Sequence, residues 1–108
     1  GGSNATRGIM MGGAPNSTDN RVNIIDFITI ATEGNAVDFG DLTSDMMGSR
    51  MIGCASLTRA VKFGGYNPGH TNVMCFVNIA TLGDAVDFGD LTSACAGAGS
   101  NSNGHGGL

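Results

Sequence analysis

The chain has 108 residues, enough for one small domain, with 19 Gly, no Trp and only 13% charged residues. A formal charge of −4 with five Lys and Arg argues against nucleic acid, whose phosphates demand a basic face, and against anionic membranes. At 41% hydrophobic residues the chain is too apolar for disorder, yet no apolar run approaches the ~18 residues of a membrane-spanning helix.

The chain opens GGSNATRG, without the charged segment and apolar core of a signal peptide and without an initiator Met. That opening predicts a processed product or part of a longer polypeptide. From there Gly, Asn, Ser and Thr punctuate short β-branched or aromatic runs, which is the all-β pattern. Residues 7–11 predict a strand that ends at the diglycine Gly12-Gly13, where Gly accepts a sharp exit or a close backbone approach. A loop at residues 14–22 precedes a second strand over 24–32, a short link at Glu33-Gly34-Asn35 and a third strand over 36–42. After the turn-like SDMMG, further strands are predicted over 50–57, 59–63, 73–81 and 85–91. Gly64-Gly65 ends the second of these, and Leu82-Gly83-Asp84 links the last two.

The elements fall into a repeat. Residues 23–44, NIIDFITIATEGNAVDFGDLTS, return at residues 72–93 as NVMCFVNIATLGDAVDFGDLTS, 49 residues on, with 15 of 22 positions identical. TRGIMMGG at residues 6–13 returns as TRAVKFGG at 58–65, at an offset of 52. The difference of three lies in the intervening loop, where insertions are tolerated. Repeat 1 therefore covers about residues 6–57 and repeat 2 about 58–108 of a single repeat domain, with both termini inside a unit. The strand at 24–32 alternates Ile24, Asp26, Ile28 and Ile30 with Ile25, Phe27, Thr29 and Ala31. Both faces are substantially apolar, which predicts a sheet stacked between neighbours.

An apolar strand ending in Gly-Gly, a variable loop, a longer strand, a Gly hairpin and a closing VDFGDL together resemble the kelch repeat, one blade of a β-propeller. The period matches the kelch value of ~50. The chain departs from that pattern with Phe39 and Phe88 where kelch blades usually place Trp, and Phe27 and Phe76 where Tyr is common. IDFITIATEGNAVDFGDLT with TRAVKFGGY looks closest to kelch-like repeats of structural proteins in marine and freshwater tailed phages. The resemblance implies blades of four antiparallel strands and a viral structural protein, such as a tail-fibre component, in a virion or extracellular appendage.

Two blades cannot close a propeller, which takes ~4–8. The expected partner is the chain itself, as a homo-oligomer in which three copies complete a six-bladed ring. Further blades of a parent chain, or stacking along a fibre, are the other ways to cover both sheet faces. Virion proteins or a cell-surface glycan are candidate external partners.

No nucleophile elbow, phosphate loop or supported Cys–His pair is present, so the expectation is a protein that is not an enzyme and holds no cofactor. His70 and His105 lack zinc spacing. Cys54, Cys75 and Cys95 are odd in number and read as small residues in or near the core. Asp38 and Asp41 with Asn35, and Asp84, Asp87 and Asp90, recur at a spacing of three and suit turn or strand-end capping better than Ca²⁺, with Asp38, Asp41, Asp87 and Asp90 the candidates for a structural role between blades. Arg7 and Arg59 hold equivalent places and are expected to pair with acidic residues of an adjacent blade. The loop residues Tyr66, Asn67 and His70, with Asn72, form the candidate ligand or partner site: Tyr66 to stack on a sugar ring, the others to bond its hydroxyls. Asn4 and Asn16 open formal glycosylation sequons.

Overall fold

The computed structural model describes residues 2–13, 22–43, 52–66, 69–95 and 99–101. They form eight strands: β1 (Gly2–Ser3), β2 (Arg7–Gly13), β3 (Val22–Thr29), β4 (Val37–Asp41), β5 (Ile52–Ala55), β6 (Arg59–Phe63), β7 (Thr71–Asn78) and β8 (Val86–Cys95). These make two four-stranded antiparallel sheets, each in simple sequence order, β1-β2-β3-β4 and β5-β6-β7-β8. The all-β class and the four-strand unit are therefore as expected. Because β5 pairs with β6, the hydrogen-bonded units divide between Asp41 and Ile52, so Ile52–Ala55 opens the second sheet instead of closing the first repeat.

Only β6 keeps both of its expected bounds, and β1 is not among the expected strands. The long strands stop at Thr29 and Asn78 rather than running through Thr32 and Thr81. Ile30 and Ile79 still donate their amides to the Thr6 and Thr58 carbonyls, and the turn is closed just beyond by the Thr32 and Thr81 amides on the Thr29 and Asn78 carbonyls. At the other end β8 does not stop near Leu91. It continues to Cys95, where it meets Thr71, so SAC belongs to the last strand. Both ladders slip at the same repeat position, between Ile25 and Asp26 and between Met74 and Cys75. Such a bulge re-aims the facing residue.

The diglycines behave as their sequence suggests. Gly64 has φ 63 and Gly65 φ 128, and a Cβ on Gly64 would sit 2.6 Å from the Cys95 carbonyl oxygen. Only a residue without a side chain lets β6 exit there, and the Gly65 amide then bonds the same carbonyl at 2.9 Å.

The two sheets stack front to back. Ile9, Met11, Ile25 and Phe39 fill the core from one face of the first sheet. The second sheet meets them with Ala60, Cys75, Val77 and Ile79, which by repeat position belong to its opposite face. Each long strand is apolar on both faces, as the sequence indicates, but only one face of each sheet is covered here. Ile24 and Ile28 of β3 stay exposed, and so does Phe88 of β8.

Candidate functional site

The most developed constellation is the contact between the sheets. β4 is the edge of the first sheet, and an unpaired edge invites pairing. The link after β7 supplies it. Gly83 donates its amide to the Phe39 carbonyl at 3.0 Å, and Ala85 donates to the Asp41 carbonyl at 2.8 Å. Between them the Asp84 carboxylate accepts the Asp41 amide at 3.0 Å. Gly40, at φ 154, is what admits the link so closely. A Cβ there would fall on the Gly83 carbonyl, 2.6 Å from its carbon and 2.9 Å from the Asp84 nitrogen.

Two side chains of the first sheet complete the contact. The Arg7 guanidinium donates to the Ile79 carbonyl at 2.8 Å and lies 4.8 Å over the Phe27 ring. Arg7 thus bridges adjacent sheets, but it ends on a carbonyl and not on the acidic residue expected. The reason is position: it faces the turn at Ile79, whose carbonyl points out of the ladder. Arg59 keeps the ring contact, 4.7 Å over Phe76, without a second sheet to reach. Asn4 is the other bridge. Its Oδ1 accepts the Arg7 amide at 2.8 Å and the Thr6 amide at 2.9 Å, tightening the β1–β2 turn, while its Nδ2 donates to the Leu57 carbonyl at 3.4 Å. A glycan on Asn4 would take that nitrogen away. Asn16 lies outside the described residues.

Of the five aspartates singled out, two take part in the crossing, Asp84 with its carboxylate and Asp41 through its backbone. Asp38, Asp87 and Asp90 are exposed. The expected strand-end cap is thus Asp84, whose repeat counterpart in the first link is Asn35. No group of three or more His, Cys, Asp or Glu among the described residues is placed to hold a metal ion.

Inside the contact sits an unusual pair. Lys62 is buried opposite Cys75, its register partner on β7. Desolvation lowers the Lys62 ammonium below the ordinary lysine range. Burial pushes the Cys75 thiol up to about 11, opposed by the Lys62 charge and reinforced by the Asp87 carboxylate. Cys75 is 0% exposed and packs within the core cluster. Cys54, Cys75 and Cys95 are all free.

The loop candidates are partly assembled. Tyr66 and His70 form a bridge across the loop mouth, and their rings meet edge to face at 5.5 Å with 73° between planes. Both are exposed. Asn72 follows on β7, half-buried, and Asn67 lies outside the described residues, as does the 14–21 part of the first loop. Two shallow concavities recur at the β3–β4 and β7–β8 links, of about 220 and 130 Å³, with Asn35 and Asp84 in their walls. Both fall below the ~300–1,000 Å³ of drug-sized ligand pockets.

Comparison with protein-family models and with curated proteins finds no match to this chain.

Proposed function

We propose that the chain is a non-enzymatic structural and adhesion module, built of kelch-like propeller blades in a phage virion or an extracellular appendage. The observation that carries this reading is the interlocked stack of two near-identical sheets, which spends its polar and apolar side chains on holding blades together. Three copies would give six blades, within the ~4–8 that close a propeller. Rigid β blades then hold their loops at fixed spacing, and the mouth bridged by Tyr66 and His70 is the part turned toward a host surface or a neighbouring virion protein.

The exposed Tyr66–His70 ring pair also favours a second reading, a soluble carbohydrate-binding lectin using the same blades. A tyrosine face is suited to stack on a sugar ring while nearby polar groups bond its hydroxyls. A broad glycan array, run beside an assay of stable incorporation into virus particles, separates the two. Incorporation without glycan binding is the expected result. Reproducible glycan binding that Tyr66→Ala abolishes would replace the structural reading by the lectin.

A further inference from the structure

The contact inside the chain is used only once, and each of its halves is present a second time, uncovered. Ile79 is 0% exposed where its counterpart Ile30 is 54%, and Val77 is 3% exposed where Ile28 is 40%. On the opposite side Phe39 is 3% exposed and Phe88 50%. One end of the molecule therefore carries the receiving half of the contact: the 33–36 link with Ile28 and Ile30. The other carries the giving half, the edge of β8 at Phe88, Gly89 and Asp90. The same residue types stand in the same order at both ends, and the local rings are set alike. Phe27 and Phe39 meet at 5.9 Å and 80°, Phe76 and Phe88 at 5.8 Å and 83°.

We infer that the β8 end of one chain docks on the 33–36 end of a second copy, repeating the internal contact head to tail. The bonds follow residue by residue from the internal set. The Gly34 amide donates to the Phe88 carbonyl and the Ala36 amide to the Asp90 carbonyl of the other copy, where Gly83 and Ala85 do so internally. The Asp90 amide donates to Asn35 Oδ1 as Asp41 does to Asp84, and Arg59 reaches the Ile30 carbonyl as Arg7 reaches Ile79. Among the described residues the Gly34 and Ala36 amides carry no other backbone hydrogen bond. Gly89, at φ 143, leaves the same opening as Gly40, with only the Met74 methyl near a would-be Cβ, at 3.7 Å. Because the two surfaces differ, the contact is heterologous, and it generates a ring if the rotation closes and a filament if it does not.

One residue works against the contact. Asp26 occupies the place of the fully buried Cys75, and Met10 that of Lys62, so docking buries a carboxylate without its cationic neighbour. Asp26→Ala therefore tightens association by at least about tenfold. This gain separates a specific contact from general stickiness. The inference completes the ring that the proposed function requires, but it rests on the internal contact and not on adhesion.

The test is sedimentation velocity of the whole chain from low micromolar to sub-millimolar concentration. The wild type grows in mass with concentration, to one discrete size for a closed ring or to a ladder of sizes for a filament. Ile30→Glu and Phe88→Glu each weaken self-association at least about a hundredfold, since each places a charge in the buried contact. Both positions are exposed in the single chain, so circular dichroism of the two variants stays that of the wild type. Mixed together, they keep one good end each and form a 1:1 dimer that grows no further. A wild type that stays monomeric throughout overturns the inference, and the ends are then covered by other units of a longer polypeptide. Single variants that associate like the wild type, or a mixture that stays monomeric, overturn it as well. Association that survives while particle incorporation fails strikes the proposed function alone.

Discussion

Replacing Gly40 by Ala tests the sheet-to-sheet contact, because the repeat supplies its own control at Gly89. Both glycines have positive φ, 154 and 143, so an Ala at either place carries backbone strain of about 1–2 kcal/mol. Only at Gly40 does the new methyl also collide with backbone, at the Gly83 carbonyl and the Asp84 nitrogen. Moving that link away breaks the Gly83–Phe39 and Ala85–Asp41 backbone bonds and the Asp84 cap on Asp41. Three hydrogen bonds at about 1 kcal/mol each bring Gly40→Ala to a loss of roughly 4–5 kcal/mol. That is a large part of the ~5–15 kcal/mol by which a domain is folded. Gly89→Ala meets only the Met74 methyl and loses about 1–2 kcal/mol. Urea unfolding of both variants, at concentrations dilute enough to keep the chain single, measures the difference. Equal losses would mean that strain, and not the contact, sets the effect, and the account of the link would fail.

Four further outcomes are expected. Lys62→Met, which copies Met10 of the other repeat, removes a buried charge with no carboxylate placed against it among the described residues, and stabilises the fold by about 1–4 kcal/mol in the same unfolding assay; destabilisation would show that the ammonium is held by the fold. The Cys75 thiol ionises near 9.0 in the unfolded chain and near 11 when folded, so the folded state keeps a proton the unfolded state loses. Stability is then full below pH 9 and falls as pH rises toward 11, by up to about 2–3 kcal/mol, and a pH series in the Lys62→Met background, free of the opposing lysine, reads it; a flat profile refutes the burial of Cys75. Arg7→Ala loses a charged hydrogen bond and a ring contact, about 2–3 kcal/mol, whereas Arg59→Ala loses only an exposed ring contact, about 0.5–1 kcal/mol; thermal unfolding that ranks them the other way contradicts the bridge. Asn4→Ala frees the β1–β2 turn and costs about 1–2 kcal/mol, checked against Asn35→Ala, which leaves the dilute single chain unchanged.

The sequence carried the unit of this fold more fully than its use. The duplicated VDFGDL and diglycine segments gave four strands per unit, and RAVKF is β6 residue for residue, because period-two patterning and Gly punctuation are local properties. The ends of the long strands were less visible. Ile30 and Ile79 have strand-forming side chains, and what turns the chain there is the backbone bond from Thr32 to Thr29 or from Thr81 to Asn78, which side-chain patterning does not mark. The aspartates were legible as a class and not one by one. Capping at a strand end is what Asp84 does, but which of the recurring acids caps is selected by which link lies against the neighbouring edge, and Asp38, Asp87 and Asp90 stay exposed. Arg7 and Arg59 look equivalent in the sequence and are equivalent in their own sheets. They part only because one has a second sheet beside it. The asymmetry between repeats belongs to the stack, and no single unit encodes it.

Amide hydrogen exchange followed by NMR tests the front-to-back stack most directly. In a dilute sample the Gly83 and Ala85 amides, bonded to Phe39 and Asp41, exchange far more slowly than their repeat counterparts Gly34 and Ala36, which face solvent. Raising the concentration then slows Gly34 and Ala36 as well, as head-to-tail docking covers them. Equal exchange within each pair at low concentration would contradict the stack itself.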